Sequence, residues 1–215
     1  MAERSPWLAD HFKTLEQQSG TETFGMWVFL MTELMLFGGL FLGYTAYRLI
    51  YPDAWTEGSR HLNVLIGSVN TVVLLISSVT MALAVQDARI GNRKWLTRNL
   101  LLTAGLGAVF MALKALEYYQ HFQEHMVPAY SFDYQGPNAR AVELFFYFYF
   151  VMTGVHAIHL TIAVLVVLVT FFWARRGALP PERFGRVASV GLYWHFVDMV
   201  WIFLLPLLYL SGRAG

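Results

Sequence analysis

The sequence predicts an all-α fold, an integral membrane bundle of five transmembrane helices. Three observations carry that prediction. Hydrophobic residues make up 57% of the 215-residue chain and charged residues only 13%, against ~25% charged in soluble domains. Mean hydropathy is +0.48. Several apolar runs reach the ~20 residues that cross a bilayer as a helix. The strand-length alternation of a membrane barrel is absent, and a helix satisfies its own backbone in lipid. The chain has no cysteine, which excludes disulfides, thiolate metal sites and iron–sulfur clusters. A net charge of +1 gives no sign of nucleic-acid binding.

The elements follow in order. Residues 1–23 are polar and amphipathic and read as a cytoplasmic tail; they lack the basic start and cleavage site of a signal peptide. A membrane domain over 24–211 holds spans at about 24–50, 62–86, 100–119, 144–173 and 187–210. The first contains Glu33; the second carries no formal charge; the third contains Lys114 and Glu117. The fourth holds His156 and His159, and the last His195 and Asp198. Pro128, Gly136 and Pro137 break the long link over 120–143. Gly67, Ser68, Ser77 and Ser78 in the second span, and Gly105 and Gly107 in the third, are small enough to let helices approach closely in lipid.

Basic residues set the orientation. Arg4, Lys13, Arg89, Arg93, Lys94, Arg98, Arg175, Arg176, Arg183 and Arg186 fall on one side, ten in all. Arg48, Arg60, Arg140 and Arg213, four in all, fall on the other. The amino terminus is therefore expected inside and the carboxyl terminus outside.

Ionisable groups at bilayer depth cost at least ~2.5–3.5 kcal/mol each on insertion scales, so each calls for a partner or a function. Glu33 reads either as a carboxyl on a proton path or as one that locks helices together, within reach of a polar group on another helix. His156 and His159, three apart on one helix, share a face and read as a hydrogen-bonding core pair. A di-iron site would also need a Glu-x-x-His motif, which none of the spans contains. Lys114 and Glu117, also three apart, can pair internally. His121-Phe-Gln-Glu124-His125 matches a reversed zinc-protease pattern but reads better as a wet helix end, with no well-placed third ligand after it. No phosphate loop, nucleophile–base arrangement or haem ligand set is visible.

The most specific stretch is Tyr193-Trp194-His195-Phe196-Val197-Asp198-Met199-Val200-Trp201. It resembles the Trp-His-Phe-Val-Asp-x-Val-Trp signature of subunit III of haem–copper terminal oxidases. Phe24-Gly25-Met26 with Thr32-Glu33-Leu34-Met35-Leu36-Phe37, Val69-Asn70-Thr71 with Ser77-Ser78, Ala115-Leu116-Glu117-Tyr118-Tyr119, and Thr153-Gly154-Val155-His156-Ala157-Ile158-His159 resemble further motifs of that family, in family order. The likeness covers about 22–211 and is to the five-span bacterial form. Ala157 stands where the family usually has glycine, and Lys114 where glutamine is common.

The resemblance implies an accessory, metal-free subunit in the bacterial inner membrane, its carboxyl terminus periplasmic. Haems and copper then belong to partner subunits, and the chain packs directly on subunit I, with subunit II and other oxidase subunits nearby and a respiratory supercomplex as a wider setting. It also implies bound phospholipid and a role in sustaining proton uptake and turnover stability. Glu33, Asn70, Glu117, His156, His159, Arg175, Arg176, His195 and Asp198 become the buried-polar and lipid-cleft candidates, with no catalytic, cofactor or metal residue among them. Arg175 or Arg176 falls where the family places an arginine against a lipid phosphate. Cytochrome c is favoured over quinol as donor. A subunit III-like partner of a nitric oxide reductase shares the motifs. A small transporter is the alternative from another class, though no internal repeat or broken helix pair supports it.

Overall fold

A computed structural model describes residues 12–212 except 129 and 137. Arg4, Arg213 and Pro137, used in the reading above, and the first eleven residues of the expected tail lie outside the described residues. Five long helices carry the fold: α1 (Leu15–Ile50), α3 (Val64–Ile90), α4 (Arg93–Gln123), α5 (Ala139–Arg175) and α6 (Phe184–Tyr209), with a short α2 (Pro52–Arg60) between the first two. All five are long and apolar enough to cross a membrane.

Each long helix extends beyond its apolar run. The first starts at Leu15 rather than near Phe24, because the Thr14 side chain accepts the Gln17 N–H at 3.1 Å and caps it. Asn63 caps α3 by accepting from Leu65 and Ile66, and Asn92 caps α4 by accepting from Trp95. Such caps fix a helix start whether or not the next turn is apolar. Between them Gly91, at φ 76°, ends α3 in the left-handed region that glycine tolerates.

A short helix and a pair of short strands were not expected. Helix α2 occupies the presumed link after the first span. Pro52 opens it, and Trp55, fully buried, packs edge-on against Tyr44 and Phe145, each at 5.9 Å. In the link over 120–143, β1 (Met126–Val127) and β2 (Ser131–Phe132) pair antiparallel.

Helices α3, α4, α5 and α6 form the core, α3 against α4 most extensively. Tryptophans 194 and 201, fully buried, fill its centre. Gly67 and Gly107 permit the close approaches: a Cβ on Gly107 would lie 2.8 Å from both Trp194 and Val164. Gly105, grouped with it above, faces open space. Helix α1 lies at the edge of this core, adding Leu30, Phe37 and Tyr44 to it and resting chiefly on α6. Its outward face presents Trp27, Met31, Leu34, Met35 and Leu42, the side chains of a lipid- or protein-facing surface.

Candidate functional site

Three sets of interior polar groups stand out, at different places in the bundle. The first joins α1 to α5. Glu33 Oε2 lies 2.9 Å from His159 Nε2, and His159 Nδ1 lies 2.8 Å from the Val155 carbonyl, one turn back on its own helix. A carbonyl only accepts, so Nδ1 carries a proton. Glu33 and Nε2 then share one further proton, either as imidazolium and carboxylate or as imidazole and carboxylic acid. Both forms are neutral overall, which suits a pair at bilayer depth. Phe37 covers the imidazole edge-on at 5.2 Å, and the Tyr193 hydroxyl donates to the His159 carbonyl at 3.3 Å.

The second set is the deepest. Lys114 Nζ donates to Glu117 Oε2 at 2.9 Å, to the Tyr209 hydroxyl at 2.9 Å and to the Tyr149 hydroxyl at 3.2 Å. Tyr209 in turn donates to Glu117 Oε1 at 2.6 Å. The ammonium also lies 5.0 to 5.6 Å from the ring centroids of Tyr118, Tyr149, Trp201 and Tyr209, an aromatic cage of the kind that holds a cation by its ring faces. The pairing of Lys114 with Glu117 follows from helical spacing. Tyr118 of the cage also follows from that spacing, four residues along α4, whereas Tyr149 and Tyr209 come from α5 and α6, and no local signal in the sequence ties them to Lys114.

The third set stitches α3 to α6. His195 Nδ1 meets Ser78 Oγ at 2.7 Å, Trp194 donates to Ser77 Oγ at 3.3 Å, and Trp201 donates to Thr71 Oγ1 at 3.0 Å. Asp198 is buried beside Ser78 and the Trp194 indole, but neither makes a bond of normal geometry to its oxygens. Asn70, on the buried face of α3, likewise has no side-chain hydrogen bond among the described residues.

His156 departs from expectation. It is fully buried and bonds neither to His159 nor to any other described group. Instead its ring packs against Trp201 at 5.3 Å and Phe110 at 5.7 Å. Residues three apart diverge by about 60° around a helix of 3.6 residues per turn. That angle is enough to send His159 toward α1 and His156 into the core.

Arg175 and Arg176 are exposed at the end of α5. Arg93 donates to the Arg175 carbonyl, and Gly91 lies against Pro181, so the α3–α4 and α5–α6 turns meet and bring their two basic clusters together. At the opposite end His121 is buried among Tyr149, Phe146 and Phe150, with Glu124 at 3.5 Å. His125 lies beyond the helix, at φ 54°. Among the described residues no three His, Cys, Asp or Glu side chains are grouped to hold a metal.

Comparison with known proteins settles the lineage. The family profile described as cytochrome c oxidase subunit III matches residues 2–213. The chain belongs to that family. It is 36% identical over 187 residues to cytochrome c oxidase subunit 3 of Corynebacterium diphtheriae, covering 86% of this chain and 85% of the relative. It is 32% identical over 195 residues to cytochrome c oxidase subunit 3 of Thermostichus vulcanus, covering 88% and 87%. It is 29% identical over 209 residues to quinol oxidase subunit 3 of Bacillus subtilis, covering 94% of each. As a member of the haem–copper oxidase subunit III family, the chain thus has relatives of both donor types.

Proposed function

We propose that the chain is the accessory, metal-free subunit III of a respiratory, proton-pumping oxidase of the cytochrome c type, packed on subunit I in the bacterial inner membrane. The haems and copper lie in partner subunits. The observation that carries this reading is the family match along residues 2–213. The relatives at 36% and 32% identity, both named as cytochrome c oxidase subunits, favour that donor.

In this reading the amino terminus is cytoplasmic, since the turns bearing Arg93, Arg175, Arg183 and Arg186 lie at one end of the bundle. The Glu33–His159 pair stands beside a lipid cleft, where its one shared proton keeps the pair neutral overall as the subunit supports proton uptake by subunit I. Arg175 and Arg176 face lipid phosphates at the headgroup level. The chain's role is to hold lipid and neighbour in place, which protects turnover without supplying a redox centre.

Two measurements test this. Purification of the native assembly, with its chains identified by mass, should find this chain with a haem-bearing subunit. Depleting the chain should leave the haem spectrum intact while turnover decays faster; loss of a haem band on depletion contradicts the reading. Quinol as donor is the second reading, favoured by the 94% coverage of both chains in the Bacillus subtilis comparison. Turnover with each donor decides between them.

A further inference from the structure

Helices α1 and α3 both rest on α6 and have next to no contact with each other. The packing shows which edge of α6 each takes. Phe37 and Phe41 of α1 lie against Phe196 and Phe203, whereas Ser78 and Thr71 of α3 bond His195 and Trp201. Between those edges runs an open strip of α6, with Met199 exposed on it one turn beyond His195. The two flanking helices therefore make the walls of a furrow, and α6 makes its floor. The α3 wall is low: Ser68, Thr71, Ser78 and Ala82 fall along it, with Leu75 as the large side chain among them. Small residues in such a row let another helix approach closely in lipid.

His195 sets the floor apart. It stands midway along α6 and is half-buried. Its Nδ1 meets the Ser78 hydroxyl at 2.7 Å, and that hydroxyl has no other bond of normal geometry among the described residues. The serine proton therefore goes to Nδ1, and in the neutral ring Nε2 carries the imidazole hydrogen. Nε2 is open to the surface, with no partner among the described residues. A donor left at mid-depth against lipid is costly, since acyl chains offer no acceptor. A second copy of this chain docked about a twofold axis would set donor against donor. A different helix, with an acceptor at that level, satisfies His195 and fills the furrow at once.

We infer that the furrow of α1, α6 and α3 seats a transmembrane helix of a neighbouring subunit, and that this helix bears a hydroxyl, amide or carboxylate acceptor for His195 Nε2. This rests on the reading of the chain as one subunit of a membrane assembly, and adds the face that docks and the group that recognises the partner.

Crosslinking in the native assembly tests it. Photoreactive benzoylphenylalanine replaces Met199 or Leu75 in the furrow or, as controls, Val109 of α4 or Leu165 of α5, all of them exposed. On irradiation the furrow positions should yield adducts with one neighbouring subunit, identified by mass, and the controls should yield adducts with lipid. His195→Leu should raise the dissociation constant of the chain from the detergent-solubilised assembly about fivefold, the factor for the ~1 kcal/mol of an interhelical hydrogen bond. His195→Gln, whose amide still donates outward, should stay within about twofold of wild type. Furrow positions that capture only lipid, or only a second copy of this chain, would overturn the inference, as would a His195→Leu chain held as tightly as wild type. An assembly that contains no other protein chain would overturn the proposed function, and this inference with it.

Discussion

Replacing Lys114 by methionine removes three hydrogen bonds at one stroke, one of which is also the ion pair with Glu117. It leaves Glu117, 1% exposed on its side chain, with Tyr209 as the hydroxyl still bonded to it. Breaking a buried pair by removing one partner costs about 3–5 kcal/mol, because the surviving charge has lost its counter-ion. At roughly 2–4 °C per kcal/mol for a chain of this size, the melting temperature should fall by about 6–20 °C. Lys114→Gln should cost less, since an amide can still donate to Glu117 and bond the tyrosine hydroxyls. The double change Lys114→Met with Glu117→Leu should recover much of the loss, because replacing both members of a buried pair by apolar groups is often near neutral. Thermal unfolding in detergent, followed by the fluorescence of Trp201 in the cage wall, gives all four corners of the cycle. A coupling of about 2 kcal/mol or more is expected. If the two single changes simply add in the double variant, or if Lys114→Met costs under about 1 kcal/mol, the ion pair is not the deep lock described here.

Three further changes test the other contacts. His159→Leu strips Glu33 of its partner and should destabilise the chain by about 2–3 kcal/mol, the insertion cost of a lone ionisable group, while Glu33→Gln, whose amide can donate to Nε2, should be nearly neutral in the same melt. Gly107→Ala places a Cβ 2.8 Å from Trp194 and Val164 and should cost about 1–3 kcal/mol by overpacking; Gly154→Ala, with nothing nearer than the Tyr118 hydroxyl at 4.0 Å, is the silent control in the same assay. Tyr209→Phe removes both the Lys114 and the Glu117 bond and should lower stability by about 1.5–3 kcal/mol, since hydrogen bonds to charged groups are the strong ones; a melt equal to wild type would show that hydroxyl to be incidental.

The spans were legible because apolar length is written in the chain itself, but their ends were not. Hydropathy stops where the hydrocarbon stops, whereas helix α4 continues through Arg93, Lys94 and Arg98 to a cap at Asn92. The signals were present, in Asn63, Asn92 and the intervening Gly91, yet a search for apolar length passes over them. Helix α2 was hidden for a related reason. Nine residues are too few to span, and Pro52-Asp53 reads as a breaker until Trp55 is seen to have a pocket. Within the site, separation along the chain decides what can be read. The Lys114–Glu117 pair lies three residues apart and follows from helical geometry. Glu33 and His159 stand 126 residues apart, and only the packing of α1 beside α5 joins them. The same packing explains why the two histidines of one motif separate, one into a proton-sharing pair and the other between Phe110 and Trp201.

These contacts are unevenly distributed, and the unevenness matters more than their number. Helices α3 to α6 hold one another by close small-residue approaches, buried tryptophans and several side-chain bonds, including Thr80 to Thr103 at 2.7 Å and Asn99 to Asp87 at 2.7 Å across α3 and α4. Helix α1 has far less. Aromatic pairs such as Phe37–Phe196 and Phe41–Phe203 join it to α6, with a few polar ties among the described residues: Glu33 to His159, the Tyr44 hydroxyl to the Leu207 carbonyl, and the long, part-exposed pair of Glu22 with Arg186 at 3.9 Å. In lipid there is no hydrophobic drive to press one apolar helix on another, so packing and interhelical hydrogen bonds must hold it. Glu33 and His159 are therefore placed where a single shared proton has the greatest structural leverage. Separating α1 from the core would leave an ionisable group on each side without its partner, and the cost of doing so is what keeps the outermost helix seated.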